Sequence, residues 1–213
     1  MSEILRKYIH DLPPKPKFGN PETIYKGWLT IRRFPSQKDM GIIGHEEVDP
    51  NADGVAVLPI IKGKADDGLV LVIQYRHSGR NNGFKGYFLQ LVEGGIGGGE
   101  LQIDAAHREL LEETGYQGKI EPMFVCLPEP AFISSKKYVF RATDMRKTRK
   151  PEPEEAKHIK VIEVPYADMM HEILSGSHED LLLRSALFTD FATRFAFSHP
   201  GKHSEILKNS KGY

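Results

Sequence analysis

One segment near the middle of the chain, residues 94–116, constrains the fold more than any other; it reads GGIGGGELQIDAAHRELLEETGY. Its glycines let the backbone bend sharply and approach a ligand closely. The apolar spacing that follows predicts a helix over residues 103–114, and Gly115 is the residue expected to end it. The helical residues expected to face the core are Ile103, Ala106 and Leu110. The segment thus predicts a glycine-rich loop leading into an amphipathic helix.

Three glutamates of this helix, Glu109, Glu112 and Glu113, share one narrow arc of its surface. Carboxylates placed side by side repel one another, so they are tolerable when cations lie among them. Carboxylate oxygens suit hard ions such as Mg²⁺ or Mn²⁺, which commonly also bind substrate phosphates. On an arbitrary glutamate-rich helix, a solvated face would be the better interpretation. The loop before this helix decides the case, because its glycines let a backbone carbonyl near Glu93 or Gly94 approach a metal.

Two further residues lie at spacings that complete the pattern. Arg108 precedes Glu112 by one turn and can pair with it. Glu100 stands before the helix and can fold back towards the same face. A phosphate-binding loop is excluded, because Glu100 follows the last glycine where Lys-Ser or Lys-Thr would be required.

Together these residues fit G-x5-E-x7-R-E-U-x-E-E-x-G-U, where U is apolar, and the segment is identified as a Nudix box. From ordinary residue usage, a chance match is on the order of one in 10⁸ per starting position. Tyr116 is a mild departure, since an aliphatic residue is commoner there. The matching positions are Gly94, Glu100, Arg108, Glu109, Leu110, Glu112, Glu113, Gly115 and Tyr116. We expect Glu109 and Glu113 to bind the metal directly, with Glu112 and Arg108 supporting catalysis.

The remaining sequence shows strand-like runs followed by helical periodicity. Residues 167–197 predict two helices separated near Gly176. Strands followed by helices, without strict alternation, favour a mixed sheet covered by helices, which is an α/β fold. The resemblance implies the same fold, an α/β/α sandwich. Strands are predicted over residues 23–34, 55–61, 69–76, 87–92, 119–127, 136–144 and 159–164.

Composition narrows the possible partners. Lys and Arg together number 29, as do Asp and Glu, so there is no excess positive charge for binding nucleic acid. The apolar runs are strand-length and too short to span a membrane. The sequence shows no signal peptide, and its single cysteine, Cys126, cannot form an internal disulfide. We therefore expect a cytoplasmic protein without a nucleic-acid or membrane partner.

Outside the box, roughly residues 22–195 resemble the ADP-ribose/ADP-sugar pyrophosphatase branch of the family. The resemblance implies a homodimer built by N-terminal strands. It divides the chain into an arm with dimerisation strands, residues 1–50, and a Nudix hydrolase domain with C-terminal helices, residues 51–213. The branch often has E-L-P-A-G before the box, where this chain has Gln90 at the first position. Its proline loop usually carries a glutamate, which is replaced here by Ser135.

Four residues outside the box are further candidates. The resemblance implies that Arg76 contacts the substrate diphosphate, although a strand-end arginine often simply pairs with an acidic neighbour. Glu155 aligns best with the family's loop glutamate and could act as the base, although a charged surface loop is the plainer interpretation. Trp28 and Phe132 could stack on a base, or could belong to the core or a dimer interface.

We therefore predict metal-dependent hydrolysis of a small nucleoside diphosphate derivative. ADP-ribose or a nucleoside diphosphate sugar would yield a nucleoside monophosphate and a sugar phosphate. Two alternatives stay open at this point. The chain could be a Nudix enzyme for a dinucleoside polyphosphate or a damaged nucleotide, or a catalytically dead Nudix fold that senses a ligand.

Overall fold

The computed structural model of the chain describes residues 7, 20, 22–26, 30–34, 45–46, 53–64, 66–81, 83, 85–128 and 135–198. Two of the predicted site residues, Trp28 and Phe132, lie outside these ranges.

The N-terminal strands form a small antiparallel sheet. It contains β1 (Glu22–Lys26), β2 (Thr30–Phe34) and β3 (His45–Glu46), in the order β1-β2-β3. The strands predicted over residues 23–34 are confirmed as a hairpin, with Lys26 opposite Thr30. The homodimer that these strands are expected to build, and the division of the chain at residue 50, stay predictions.

A second sheet of seven strands forms the centre of the structure. Its main path runs β10-β5-β4-β9-β8, with β6 paired to β5 and β7 paired to β4. β4 and β9 are parallel and the other pairs are antiparallel, so the predicted mixed sheet is confirmed. The strands are β4 (Gly54–Ile61), β5 (Gly68–Tyr75), β6 (Tyr87–Gln90), β7 (Val92–Gly95), β8 (Tyr116–Cys126), β9 (Lys137–Lys147) and β10 (Ile159–Pro165).

Strands β4 and β5 separate along their length, and this separation positions the site. They pair with each other only where Ile60 meets Leu69 and Ile61 meets Gly68. Further along, β5 pairs with β6 and β4 pairs with β7. Strands β6 and β7, joined by Leu91, therefore occupy the opening between the diverging strands, with Gln90 at the end of β6 and Glu93 in β7.

Helices cover both faces of the central sheet. Alternate residues of β5 point to opposite faces, so Leu71 and Val72 belong to two separate cores. Helix α1 (Gln102–Thr114) packs on one core, and α2 (Tyr166–Leu174) with α3 (Leu181–Ser198) on the other. The predicted α/β/α sandwich is confirmed. Within the described ranges, no helix has both the length and the apolar character that crossing a membrane requires.

One prediction about the core face of α1 was wrong. Ala106 and Leu110 are fully buried as expected, but Ile103 is 38% exposed and Ala105 is buried instead. The angular position of Ile103 matches that of Leu110, yet it lies in the first turn, about 10 Å before Leu110 along the helix axis. Burial therefore depends on position along the helix as well as on its face.

Gly115 ends α1 as predicted and also fixes the position of a distant loop. Its φ of 75° is left-handed, and a Cβ there would lie 2.0 Å from the backbone oxygen of Arg149. The backbone oxygen of Gly115 accepts a hydrogen bond from the Thr148 amide (2.9 Å). The backbone oxygen of Glu112 accepts one from the Glu152 amide (2.8 Å). The loop after β9 is thereby held against the end of α1.

Candidate active site

The Arg108 guanidinium is the hub of the acidic face of α1. Nε donates to Glu100 (2.8 Å), and Nη1 donates to Glu109 (2.6 Å) and Glu112 (3.2 Å). Nη2 donates to Glu100 (3.0 Å) and to the backbone oxygen of Gly95 (2.8 Å). The predicted pairing with Glu112 is confirmed. All five guanidinium donors are used by protein oxygens, so Arg108 fixes the carboxylates and the glycine loop relative to one another.

Glu100 folds back towards this face, as the sequence predicted. It accepts hydrogen bonds from Arg108 and from the Gly97 amide (2.8 Å), and these, in that order, lower its pKa to about 2. Glu100 is therefore a permanent anion at neutral pH. It ties the glycine loop to Arg108.

Glu109 lies directly against Gly94 of strand β7. A Cβ at residue 94 would lie 1.9 Å from Glu109 Cδ, so only glycine leaves room for this carboxylate. Burial raises the pKa of Glu109, while the hydrogen bond and charge of Arg108 act in the opposite direction. The absence of a side chain at Gly94 thus forms a cradle for the part-buried carboxylate of Glu109.

Glu113 is the most deeply buried carboxylate of the helix, at 4% exposed. It accepts a long hydrogen bond from the Glu93 amide (3.3 Å). Burial, followed by the negative charges of Glu109 and Glu155, raises the pKa of Glu113 well above its usual range. The positive charge of Arg76 opposes this rise. The negative charges of Glu109, Glu113 and Glu155 are therefore unfavourable together unless a cation lies near them.

The donor set fits a hard divalent cation. Glu109 and Glu113 offer oxygen ligands beside the Gly94 cradle, and Mg²⁺ typically takes one or two carboxylates and keeps several waters. Across the described residues, no three His, Cys, Asp or Glu side chains stand together as ligands. The Glu93 carboxylate pairs with Lys137 (3.0 Å), which already balances its charge. The predicted backbone contribution of Glu93 and Gly94 stays a prediction.

Arg76 follows strand β5 and reaches the same site. Its Nε donates to the side-chain oxygen of Gln90 (2.8 Å), and its backbone amide donates to Gly86 (2.7 Å). Its positive charge opposes the rise in the pKa of Glu113 that burial and the neighbouring carboxylates cause. Among the described residues, the side chain is thus bonded to an amide, and the predicted contact of Arg76 with the diphosphate stays a prediction.

Glu155 is distinguished from the two other glutamates of its loop. Glu154 pairs with Lys157 (2.7 Å) at the surface, and Glu152 pairs with Arg149. Glu155 is half-buried, and its charge raises the pKa of both Glu109 and Glu113. Of the three, Glu155 is therefore the one that acts on the metal-ligand candidates.

Sequence reasoning missed three polar residues around this site, namely Gln90, Lys137 and Asp180. Gln90 lies between Arg76 and Asp180, and Lys137 neutralises Glu93. The departure of Gln90 from the branch's usual glutamate was the only signal. No motif marks Asp180, the partner of Gln90, or Lys137, the partner of Glu93.

Comparisons with known proteins agree with this geometry. The NUDIX domain family matches residues 50–184. The chain is 29% identical over 160 residues to the ADP-sugar pyrophosphatase of Mus musculus, covering 70% of this chain and 71% of that protein. It is 29% identical over 178 residues to the ADP compounds hydrolase NudE of Escherichia coli (strain K12), covering 82% and 90% respectively. A crystal structure of ADP compounds hydrolase shares 26% identity with a TM-score of 0.57, over 89% of this chain and 97% of that one.

The chain belongs to the Nudix family, because the family match spans more than half of its 213 residues. The resemblance to the ADP-ribose/ADP-sugar branch is confirmed by the same relatives, and so is the prediction of a Nudix-type enzyme.

The cradle at Gly94 gives a matched pair of variants. Gly94→Ala places a methyl group where the Glu109 carboxylate lies, whereas a Cβ at Gly95 meets nothing within 4 Å. We expect Gly94→Ala to weaken Mg²⁺ or Mn²⁺ binding at least about tenfold, because the methyl group displaces the Glu109 carboxylate. A tenfold loss corresponds to about 1.4 kcal/mol of binding free energy. Gly95→Ala should bind like wild type. Calorimetric titration of the ion measures both, and equal binding by the two variants would contradict the cradle.

Proposed function

We propose that this chain hydrolyses a diphosphate linking a nucleoside to a second moiety, as in ADP-ribose or another nucleoside diphosphate sugar. The observation that carries the proposal is the buried Glu113, bonded to the Glu93 amide, on the same helix face as the part-buried Glu109 that lies against Gly94. The charge of Glu155 acts on both carboxylates. The substrate class is supported by the names of the two relatives, an ADP-sugar pyrophosphatase and an ADP compounds hydrolase.

The proposed reaction uses water as the nucleophile. Its oxygen forms a new bond to one phosphorus as the bond from that phosphorus to the bridging oxygen breaks. The products are a nucleoside monophosphate and a sugar phosphate, with no covalent enzyme intermediate. Mg²⁺ or Mn²⁺, held by Glu109 and Glu113, would lower the pKa of the attacking water and offset charge on the diphosphate oxygens.

The two arginines have different proposed roles. Arg76 presents a planar guanidinium whose fork matches phosphate oxygens, so it would bind the diphosphate. Arg108 has no donor left for substrate, since its bonds to Glu100, Glu109, Glu112 and Gly95 use all five. Arg108, predicted among the catalytic residues, is therefore proposed as a positioning residue. Glu112 would support catalysis from the same network.

Glu155 is proposed as the base that accepts the proton of the attacking water. Ser135 stands where the branch usually has a loop glutamate, and a serine hydroxyl accepts no proton at neutral pH. Glu155 is half-buried and acts electrostatically on both metal-ligand candidates. Its loop is bonded to the end of α1 through the Glu152 amide, which limits how far the carboxylate can move.

The activity is tested by a substrate panel assayed with Mg²⁺ for release of nucleoside monophosphate. The panel contains ADP-ribose, other ADP sugars, GDP and UDP sugars, a dinucleoside polyphosphate and oxidised nucleoside triphosphates. We expect the highest kcat/KM with an ADP-linked sugar, and loss of turnover in EDTA. Preference for a dinucleoside polyphosphate or an oxidised nucleotide would identify a different Nudix substrate. Binding without turnover of any compound would identify a ligand sensor.

The base is tested by Glu155→Gln, with the adjacent Glu154→Gln as its matched control. A positioned base contributes about 10²–10⁴-fold, so kcat of Glu155→Gln should fall by an amount in that range while KM stays close to wild type. The control should keep wild-type kcat, because Glu154 pairs with Lys157 at the surface. Steady-state kinetics at saturating Mg²⁺ measures both. Wild-type kcat in all three single variants at 152, 154 and 155 and in the triple variant would show that the loop carries no base.

A further inference from the structure

A chain of hydrogen bonds leads from the site to the start of the last helix. Arg76 Nε donates to Gln90 Oε1 (2.8 Å), and Gln90 Nε2 donates to Asp180 Oδ2 (2.9 Å). The other oxygen of Asp180, Oδ1, accepts from the Leu183 amide (2.8 Å) in the first turn of α3. The buried amide of Gln90 thus connects the cation that follows β5 to Asp180, an anion 90 residues after Gln90 that caps α3.

The direction of each bond in this chain is fixed by chemistry. A guanidinium can only donate and a carboxylate can only accept, so the residue between them must accept from one and donate to the other. The Gln90 amide does both at once. Because Asp180 also caps α3, it cannot turn away without leaving the Leu183 amide without this acceptor. The orientation of the Arg76 guanidinium is therefore set from α3 through Gln90.

We propose that Gln90 and Asp180 are positioning residues that orient Arg76 to grip the substrate diphosphate. The inference rests on the proposed function, because it takes Arg76 as the phosphate-binding group. Gln90 engages Nε of Arg76. The two terminal nitrogens would then form the fork that phosphate oxygens match. The fixed guanidinium then loses less conformational freedom when the diphosphate binds.

An exchange of the two side-chain types tests this chain of bonds. In Gln90→Glu, a second carboxylate faces Asp180 and repels it. In Asp180→Asn, the amide that caps Leu183 turns its own N–H groups towards Gln90 Nε2, so two donors meet. In the double variant Gln90→Glu/Asp180→Asn, the new glutamate accepts from Arg76 and from the N–H of the new asparagine, whose side-chain oxygen still caps the Leu183 amide. The double variant also keeps the total charge. Gln117 is an exposed residue of β8, so Gln117→Glu is the matched control for a Gln→Glu change.

Affinity for a non-hydrolysable diphosphate is the first measurement. The probe is α,β-methylene-ADP, titrated by calorimetry into each full-length variant at the same Mg²⁺ concentration. We expect each single variant to bind about tenfold more weakly than wild type, and the double variant to recover to within about threefold, as coupled partners do. Gln117→Glu should bind like wild type. Wild-type affinity in both single variants, or a double variant no better than the weaker single variant, would overturn the proposal.

A kinetic measurement separates positioning from general damage to the fold. Misorienting Arg76 in either single variant should weaken diphosphate binding and raise KM more than it lowers kcat. The double variant should restore KM. The wild-type substrate panel decides the proposed function independently of the variants. If wild type hydrolyses nothing, that function fails, and the probe affinities still decide the inference. A wild type that does not bind the probe would overturn the inference even if turnover is found.

Discussion

Electrostatic repulsion between one buried carboxylate and two part-buried ones is the constraint on which the rest of this structure depends. Glu109 and Glu113 lie on one face of α1, and the charge of Glu155 acts on both from the loop after β9. Burial makes each negative charge more costly, and proximity adds to that cost. Arg108 and Arg76 compensate part of it. The remaining negative charge is what a divalent cation would balance, so the same repulsion that opposes folding would favour binding of a metal ion.

The fold supplies the geometry that holds these charges in place. Divergence of β4 from β5 opens the sheet, and the segment from β6 to β7 enters that opening. Gly94 of β7 then leaves space for the Glu109 carboxylate, and the Glu93 amide reaches Glu113. At the other end of α1, the left-handed Gly115 brings in the loop that carries Glu155. Glycines at these two positions are therefore required by close contacts.

The sequence predicted those parts of the site that are local in the chain. Helix α1, its end at Gly115, the pairing of Arg108 with Glu112 and the folding back of Glu100 towards the same face follow from spacings within a single segment, and the structure confirms them. Long-range pairings were not predictable in this way. Gln90 meets Asp180 only because α3 begins beside the opening of the sheet, and no periodicity encodes that contact. The exposure of Ile103 shows the same limit, since a helical arc gives the face of a residue but not what covers it.

The central proposal, that Glu109 and Glu113 bind a divalent cation, is tested most directly by thermal unfolding of wild type and Glu113→Gln with and without Mg²⁺. Gln keeps the shape of Glu113 and can still accept from the Glu93 amide, but it removes a buried charge. The account predicts that metal-free Glu113→Gln has a Tm at least equal to that of metal-free wild type. It also predicts that Mg²⁺ raises the Tm of wild type much more than that of the variant. A lower metal-free Tm in the variant, together with an unchanged response to Mg²⁺, would contradict it.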